Sequence, residues 1–445
     1  KMDTVTGMSA QENLRKRVAA VKYFRQIGRI DSALHNYDYT THYSYDIDGN
    51  VKTLVQDYPA LEDMKQRYKR IDYDYDLVSG KVNLLSYNRS FADQYFQRYQ
   101  YDDDNRITKV ETSADGYIWH RDAEYGYYQH GPLARVDVGD LRVQGIDYAY
   151  TIQGWLKVMN ADTLDKIMDM GGDDTATVNA HDAIAYSIDY FKNDYKTITA
   201  WQMSHVADPT RSLYNGNISR QTMAMATFQR LNKQYVYDQM NRIHDAAYNS
   251  VSIVDNSITG LPDYKSHYTY DLDGNLQTLR RYGNNTGGSV QLMDSLSYHY
   301  GGMTGYTPNA LSILTEDAPD VYGNDIKYSP GTTVPNYTYD NIGNTIRDGV
   351  SGQDTIKWNL YNKVTATSNS TGRNTMRFDY DGAGNRVGKY FTQHTDTSVS
   401  MRNYFYVHDA QGNILAMYHE NIDHKMEMIS WISDAHTEVI TTGGV

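Results

Sequence analysis

The chain has 445 residues, with 42 Lys or Arg against 55 Asp or Glu, and its formal net charge is −13. This acidic balance opposes non-specific binding to nucleic acid and to anionic membrane surfaces. The absence of cysteine excludes disulfides and thiol chemistry, and no apolar run approaches the roughly 18 residues of a membrane span. We therefore predict no nucleic-acid partner and no membrane insertion.

Tyrosine dominates the aromatic residues, with 43 Tyr against 8 Phe. A ring with a polar tip suits a pleated sheet that is dry on one face and wet at its edge. Residues 11–29 fit an amphipathic helix or a pair of strands, and we favour strands. Further along, a motif of Tyr-Asp, a polar turn often ending in Gly-Asn, and an aliphatic residue recurs. Clear copies begin at Tyr45, Tyr75, Tyr101, Tyr237, Tyr270, Tyr339 and Tyr380, and weaker ones at Tyr150, Tyr214, Trp358 and Tyr406.

Each copy predicts a β-hairpin. In "YTYDLDGNLQTL", Tyr268 and Tyr270 share a face because side chains alternate along a strand. Asp273, Gly274 and Asn275 tolerate or favour the positive φ of a tight turn. We expect the Asp after Tyr to accept bonds from N–H groups of its own turn. We expect the Tyr to pack on the returning aliphatic residue, contributing about 0.2–1 kcal/mol. The predicted repeat residues are Tyr45, Asp46, Gly49, Asn50, Tyr75, Asp76, Tyr101, Asp102, Tyr237, Asp238, Tyr270, Asp271, Gly274, Asn275, Tyr339, Asp340, Gly343, Asn344, Tyr380, Asp381, Gly384, Asn385, Gly412 and Asn413.

The number of repeats predicts a curved sheet. A period of about 25 residues indicates one supersecondary motif per repeat, joined into an array. At two strands per repeat and about 4.8 Å per strand, roughly 30 to 35 strands give a sheet edge of about 150 Å. Open twisted sheets rarely exceed about 10 strands without curling or splitting. The predicted fold class is all-β, with YD-repeat hairpins wound into a curved or spiral shell around a hollow interior.

The repeat lapses in two places. Between residues 161 and 185, Leu164, Ile167 and Met168 stand at helical spacing before a Gly/Asp-rich stretch, which predicts a short helical or irregular insertion. A second irregular insertion is predicted at 300–325. Neither resembles a linker between independent domains. We therefore predict that residues 1–445 are a single YD-repeat shell segment of a longer protein.

The recurring "YDxxGN" followed by an aliphatic residue resembles the Rhs/YD-repeat family, which includes bacterial Rhs polymorphic toxins, wall-associated WapA-type proteins and the teneurin shell. The stretches "YTIQGWLKVMN", "YNGNISRQTMAM" and "YVYDQMNRI" resemble long surface proteins of Bacteroidetes in particular. The resemblance implies a secreted or cell-surface bacterial protein whose shell encloses a C-terminal effector domain. In many members an aspartate-dependent core cleaves the effector free. Asp208-Pro209 lacks the surrounding pattern of that core, so no protease is assigned.

The resemblance also implies partners. They are the chain's own C-terminal effector or toxin domain, export machinery such as a type IX system, and possible cell-surface glycans. Three functions follow. The first is a structural shell that encloses and delivers the effector. The second is an adhesin module that binds glycans or another cell, and the third is a polysaccharide-acting enzyme, which we disfavour.

Residues for metal or catalytic chemistry do not form a recognisable motif. Asp46 and Asp48, like Asp271 and Asp273, suggest a calcium loop, but Gly stands fourth and no Glu stands twelfth. His-x-x-x-His spacing is absent, which removes support for zinc catalysis. His419, His424 and His436 form only a loose group along the chain, and no two carboxylates stand out as a glycosidase pair. We predict no cofactor, no metal and no catalytic residue.

Overall fold

The computed structural model is built almost wholly from antiparallel strands. It describes residues 10–24, 37–62, 65, 67–172, 180–196, 212–251, 258–284, 287–302, 307–319, 326, 328, 331–420 and 426–431. Within these ranges, helical structure is limited to a 3-10 turn at Pro59–Leu61. The chain divides into two compact units, one formed by Lys1–Glu124 with Gly352–Val445 and the other by Tyr125–Ser351. The all-β prediction is confirmed.

The first unit begins with a run of strands that we call the N-terminal ladder. Each strand pairs antiparallel with the next. Its members are β1 Ala20–Tyr23, β2 Tyr39–Tyr45, β3 Val51–Asp57, β4 Tyr68–Tyr75, β5 Val82–Tyr87, β6 Tyr95–Tyr101, β7 Ile107–Ser113 and β8 His120–Tyr127. The stretch at 11–29, for which we favoured strands, contributes β1; residues 25–29 lie outside the described ranges.

The second unit continues in the same way, with consecutive antiparallel pairs from β9 to β19 and a separate pair β20–β21. Its strands are β9 Leu133–Val138, β10 Gln144–Tyr150, β11 Leu156–Met159, β12 Ile184–Asp189, β13 Arg220–Met225, β14 Phe228–Tyr237, β15 Ile243–Val251, β16 Ile258–Tyr270, β17 Leu276–Asn284, β18 Val290–Tyr300, β19 Leu311–Glu316, β20 Tyr337–Tyr339 and β21 Thr345–Asp348.

The first unit is completed by a second run, the C-terminal ladder, which is again consecutive and antiparallel. Its strands are β22 Thr355–Trp358, β23 Val364–Ser368, β24 Asn374–Tyr380, β25 Arg386–His394, β26 Val399–His408, β27 Ile414–Glu420 and β28 Met426–Trp431. Pairing of neighbours in sequence is what a chain of two-strand repeats produces, because each short turn returns the chain beside the strand it has just left.

A β-bulge follows the turn in every clear hairpin. In the β16–β17 pair, Tyr270 lies opposite Leu276, but Thr269 lies opposite Thr278, so Gln277 is an extra residue. A bulge of this kind bends the strand and increases its local right-handed twist. The extra residues at this position are Lys52, Asn83, Thr108, Lys157, His244, Gln277, Ser312, Ile346, Thr365, Val387 and Leu415.

The bulge also determines which side chains share a face. We call the face that carries the repeat tyrosines the tyrosine face, and the other the reverse face. Leu276 and Leu279 are three residues apart and would lie on opposite faces of a regular strand. With Gln277 inserted between them, Leu276 lies opposite Tyr270 and Leu279 opposite Tyr268, both on the tyrosine face. The extra residue and the one after it are both directed to the reverse face.

The core of the first unit lies between its two ladders. The tyrosine face of the N-terminal ladder supplies Leu54, Ile71 and Tyr87, whereas the C-terminal ladder supplies Phe405 and Tyr418. Phe405 lies opposite Gly388 on one neighbouring strand and opposite Tyr418 on the other, so both residues are on the reverse face of their ladder. The two ladders therefore pack front to back. This is the arrangement expected when a later stretch of a wound ribbon covers an earlier one.

The second unit has a smaller core cluster of small buried residues, which includes Ala149, Val158, Ala185 and Ala224. The described part of the insertion predicted at 161–185 lies against this cluster. It is irregular rather than helical through residue 172 and enters β12 at Ile184, and residues 173–179 lie outside the described ranges. The stretch 300–325 is irregular only in part, because β19 pairs in register with β18; residues 303–306 and 320–325 lie outside the described ranges.

Candidate functional site: the repeat turns and the polar clusters of the two units

The aspartate of each repeat closes its turn through the residue four positions later. Oδ1 of Asp271 accepts the backbone N–H of Asn275 at 2.8 Å, and Oδ2 accepts the Asn275 side-chain amide at 2.9 Å. These bonds favour the ionised carboxylate, so the pKa of Asp271 lies below its ordinary value, chiefly because of the Asn275 side chain. The same pair of bonds recurs at Asp46, Asp340, Asp381 and Asp409.

The residue before this partner adopts a left-handed backbone. Gly274 has φ +92, and Asn241, at the equivalent place in its own turn, has φ 62. Glycine suits this place because it has no Cβ to clash, and Asn tolerates it better than most residues. The sequence predicted positive φ for Asp273, Gly274 and Asn275, and among these it is Gly274 that adopts it. Asn275 contributes through its side-chain amide instead. In the turn where Asn241 occupies the left-handed position, the next residue is Arg242 rather than Asn. Arg242 takes the place of the Asn side-chain amide and donates its Nε–H to Asp238 at 2.7 Å.

In most repeats the tyrosine bonds to the repeat before it. The hydroxyl of Tyr270 donates to the carbonyl of Ile243 at 2.8 Å, and that of Tyr300 donates to Leu276 at 2.9 Å. Ile243 and Leu276 are the residues that restart the strand after the preceding turn. The same bond, 2.7–3.0 Å long, joins Tyr45 to Val18, Tyr75 to Val51, Tyr101 to Val82, Tyr190 to Leu156, Tyr237 to Ile218, Tyr339 to Leu311 and Tyr380 to Val364.

This bond gives the predicted tyrosines a second role. The sequence predicted contact with the aliphatic residue of their own hairpin, and Tyr270 does lie opposite Leu276. Its hydroxyl, however, reaches backward along the array, so each repeat is fixed to its predecessor. Several copies depart from the pattern. Trp358 has no hydroxyl to donate, and Thr151 stands in the place of the Asp after Tyr150. Asp76 closes a turn one residue longer through Ser79, and His408 rather than Tyr406 takes the aromatic place, lying opposite Ile414 before Asp409.

A buried polar cluster joins the two ladders of the first unit. Lys69, whose side chain is fully buried, lies 3.0 Å from Asp93 and 4.0 Å from the Tyr418 ring centroid. Tyr418 donates to Asp93 at 2.6 Å, and its hydroxyl lies 2.5 Å from that of Tyr87. Burial raises the pKa of both tyrosines well above the ordinary value. It opposes ionisation of Asp93, but Lys69 and its hydrogen bonds still hold that pKa low. The cluster is therefore a neutral tyrosine pair on a lysine–aspartate ion pair.

The second unit has its own buried charges at a bulge. Lys157, the extra residue of its hairpin, is fully buried between Asp189 at 2.6 Å and Asp194 at 2.9 Å. Arg220 bonds the second oxygen of Asp189 at 2.8 Å. Burial opposes the ionised form of Asp189, but the two cations keep its pKa below the ordinary value. Because a lone buried charge is costly, this network requires all of its members.

A further cluster escaped the sequence analysis. His244 and His267 direct Nδ1 at Asp245, with distances of 2.7 Å and 2.8 Å to its two carboxylate oxygens. Among the described residues, this is the group whose ligand atoms could hold a metal ion. The two histidines are 23 positions apart in sequence and meet because Asp245 lies opposite His267 in the β15–β16 register. Only strand register could have shown the pairing.

The other candidates considered for metal binding do not form a site in the described residues. The carboxylate oxygens of Asp46 are taken by Gly49 and Asn50 of its own turn, so the turn is closed without a cation. His419 lies on β27 beside the ring of Tyr404, at 6.3 Å between centroids. His424, His436 and Asp208-Pro209 lie outside the described ranges.

These observations define a class: an all-β array of antiparallel hairpins, most of them closed at the turn by an Asp side chain and bonded through a tyrosine to the hairpin before. Solved structures share this fold. The crystal structure of TcdB2-TccC3-Cdc42 superposes with a TM-score of 0.54 at 14% identity, covering 87% of this chain and 17% of that one. The crystal structure of TcdB2-TccC3 gives 0.55 at 14%, covering 85% and 18%. TcdB2-TccC3 without its hypervariable C-terminal region gives 0.54 at 14%, covering 88% and 17%.

The likeness shows the fold alone, an all-β array of antiparallel hairpins that this chain shares with those structures. No family model and no curated protein sequence matches the chain. The chain spans less than a fifth of the length of the chains it resembles. In the described residues, we find no helix with the length and apolar character needed to cross a bilayer.

Proposed function

We propose that this chain is part of the shell of a secreted or surface-exposed bacterial Rhs-type protein, and that the shell encloses and delivers a C-terminal effector domain. Its role is mechanical rather than catalytic. The observation that carries the proposal is the bond that joins nine tyrosines to the preceding repeat. In the proposed wall it ties together successive hairpins that would be marginal alone.

Local geometry supports a wall that curves. A bulge follows the turn in each clear hairpin, and bulges add bend and twist in a fixed sense. Front-to-back packing of the two ladders in the first unit is what a ribbon makes when it overlaps itself. The buried cluster of Lys69, Asp93 and Tyr418 then acts as a seal between the overlapping layers.

The proposed cargo follows from the sequence resemblance and the neighbouring structures. One of them is described as lacking a hypervariable C-terminal region, and this description of the neighbour supports the proposal of a variable C-terminal domain. We assign an equivalent domain to the region after Val445 of the complete protein. We also assign export to a type IX pathway of a Bacteroidetes-type bacterium.

Protease protection tests the shell function. The complete gene product and its isolated C-terminal domain are digested side by side, and cleavage within that domain is followed by mass spectrometry. An enclosed domain should be cut at least tenfold more slowly in the complete protein than alone. A complete protein that ends near Val445, or a C-terminal domain cut at equal rates in both samples, would overturn the proposal.

A second candidate function is a binding module, favoured by exposed apolar side chains at the turn tips. An apolar residue one or two positions after the repeat Asp, or after the Asn that replaces it, is largely exposed in several hairpins, as at Ile47, Leu77, Leu272, Ile342 and Leu360. Exposed apolar groups in series mark an interaction surface more often than isolated ones do. A glycan array and a cell-binding assay, run on the native chain and on a variant with these five residues changed to Ser, test it. Binding that the variant loses supports the adhesin, and no binding above background removes it.

A further inference from the structure

A histidine–aspartate trio lies on the reverse face of β15 and β16, away from the repeat tyrosines. His244 is the extra residue of the β14–β15 bulge, since Tyr237 lies opposite Ile243 and Val236 opposite Asp245. In a regular strand, His244 and Asp245 would be directed to opposite faces. The bulge turns both to the reverse face, where His267 joins them across the ladder.

The three side chains converge closely enough for a small cation. Their ligand atoms all lie within 4.8 Å of one another, and the ring centroids of the two histidines are 4.6 Å apart in an edge-to-face arrangement. Ligand atoms of a tetrahedral zinc site lie about 3.3 Å apart, given bonds of about 2.0 Å. The Nδ1-to-carboxylate distances of 2.7 and 2.8 Å are shorter than this spacing. The side chains would therefore have to separate only slightly to admit the ion.

The site is also accessible from solvent. The histidine side chains are a third to less than half exposed, which leaves a path for a metal ion. Arg280 lies opposite His267 on β17, but it is exposed and can extend into solvent.

The trio lies next to a break in the sheet. Ala246 lies opposite Ser266, but Tyr248 lies opposite Leu261. Between these two pairs, β16 therefore has more unpaired residues than β15 has. Tyr264, within that segment, has φ 70. A cross-strand ligand set beside missing ladder bonds is well placed to replace them.

We propose that His244, Asp245 and His267 form a binding site for a divalent transition-metal ion of the zinc type, which clamps β15 to β16 where their ladder is interrupted. Two imidazoles and one carboxylate are ligands that Zn²⁺ prefers, and a three-residue set leaves a coordination position for water or another ligand.

The chain, freed of metal with a chelator, is titrated with ZnSO₄ by calorimetry and with CoCl₂ by visible spectroscopy. We expect one high-affinity site per chain and a ligand-field band from Co²⁺ that Zn²⁺ displaces. His267→Gln and Asp245→Asn should each weaken binding at least tenfold, and His299→Gln, an exposed histidine of the same unit, should not. Zinc should also slow amide exchange in β15 and β16 of the native chain.

Two results would overturn the proposal. One is a native chain that binds no Co²⁺ at a single site, a measurement that does not depend on how any variant folds. The other is a pair of folded variants, judged by circular dichroism, that bind zinc as tightly as the His299→Gln control does.

Discussion

Removing the tyrosine hydroxyls that join successive repeats should loosen the second unit without disturbing its individual hairpins. Tyr237, Tyr270, Tyr300 and Tyr339 each donate to a carbonyl of the preceding repeat, at 2.8–2.9 Å. The change to Phe keeps each ring and deletes one hydrogen bond, whose net contribution is about 1 kcal/mol. The four hydroxyls lie about 10 Å apart along the array, so their effects should add to about 4 kcal/mol.

Urea denaturation monitored by hydrogen exchange of peptides from the second unit measures this loss. With a slope of about 3 kcal/mol/M, the midpoint should fall by about 1 M. The control replaces Tyr214, which belongs to the same unit and is 73% exposed, by Phe, and should shift the midpoint little. If the fourfold variant and the control unfold at the same urea concentration, the bonds between repeats do not stabilise the array. The proposal that these bonds build a wall would then be wrong.

Three further predictions test other contacts. Asp271→Ala should speed exchange of the amides in its turn several-fold, whereas Asp273→Ala, an exposed change in the same turn, should not. Lys69→Met should cost about 3–5 kcal/mol, because it leaves a buried carboxylate unpaired; a change below 1 kcal/mol in chemical denaturation would contradict the seal. Burial lowers the pKa of His42 and His408, so unfolding binds protons there. Stability is therefore full above about pH 6.5 and falls as the pH drops below it. A double change to Gln should remove that step from melting curves taken between pH 8 and 5.

Hairpins could be predicted from sequence because their information is local. Asp, Gly and Asn act within five residues of one another, and their preferences follow from backbone conformation alone. The bond from Tyr270 to Ile243 could not be predicted in the same way. Its acceptor is a backbone carbonyl, which every residue has, so the partner leaves no trace in the sequence.

The bulge is an intermediate case. Leu276 and Leu279 stand three apart, and this spacing breaks the two-residue period of a strand. Val51 with Leu54, and Ile107 with Val110, show the same spacing. The three-residue spacing is visible in the sequence. It indicates a bulge only if one already knows that both aliphatic residues face the same row of tyrosines. The cluster at His244 was hidden for this reason, since its geometry depends on the bulge and on the register of the next strand.

The bulge and the tyrosine bond together explain how curvature can be specified repeat by repeat. A bulge alone bends one hairpin, but neighbouring hairpins could bend independently and cancel. Because the Tyr270 hydroxyl contacts the carbonyl of Ile243, which directly precedes the bulged His244, the position of one bulge sets the position of the next turn. Each repeat therefore transmits its bend to its neighbour through one short bond, and the sense of the bend is kept along the array. On this reasoning, the shape of such a wall depends mainly on contacts between adjacent repeats, as in other repeat proteins, while contacts between the two ladders, such as Tyr418–Asp93, fix the offset of one ladder against the other.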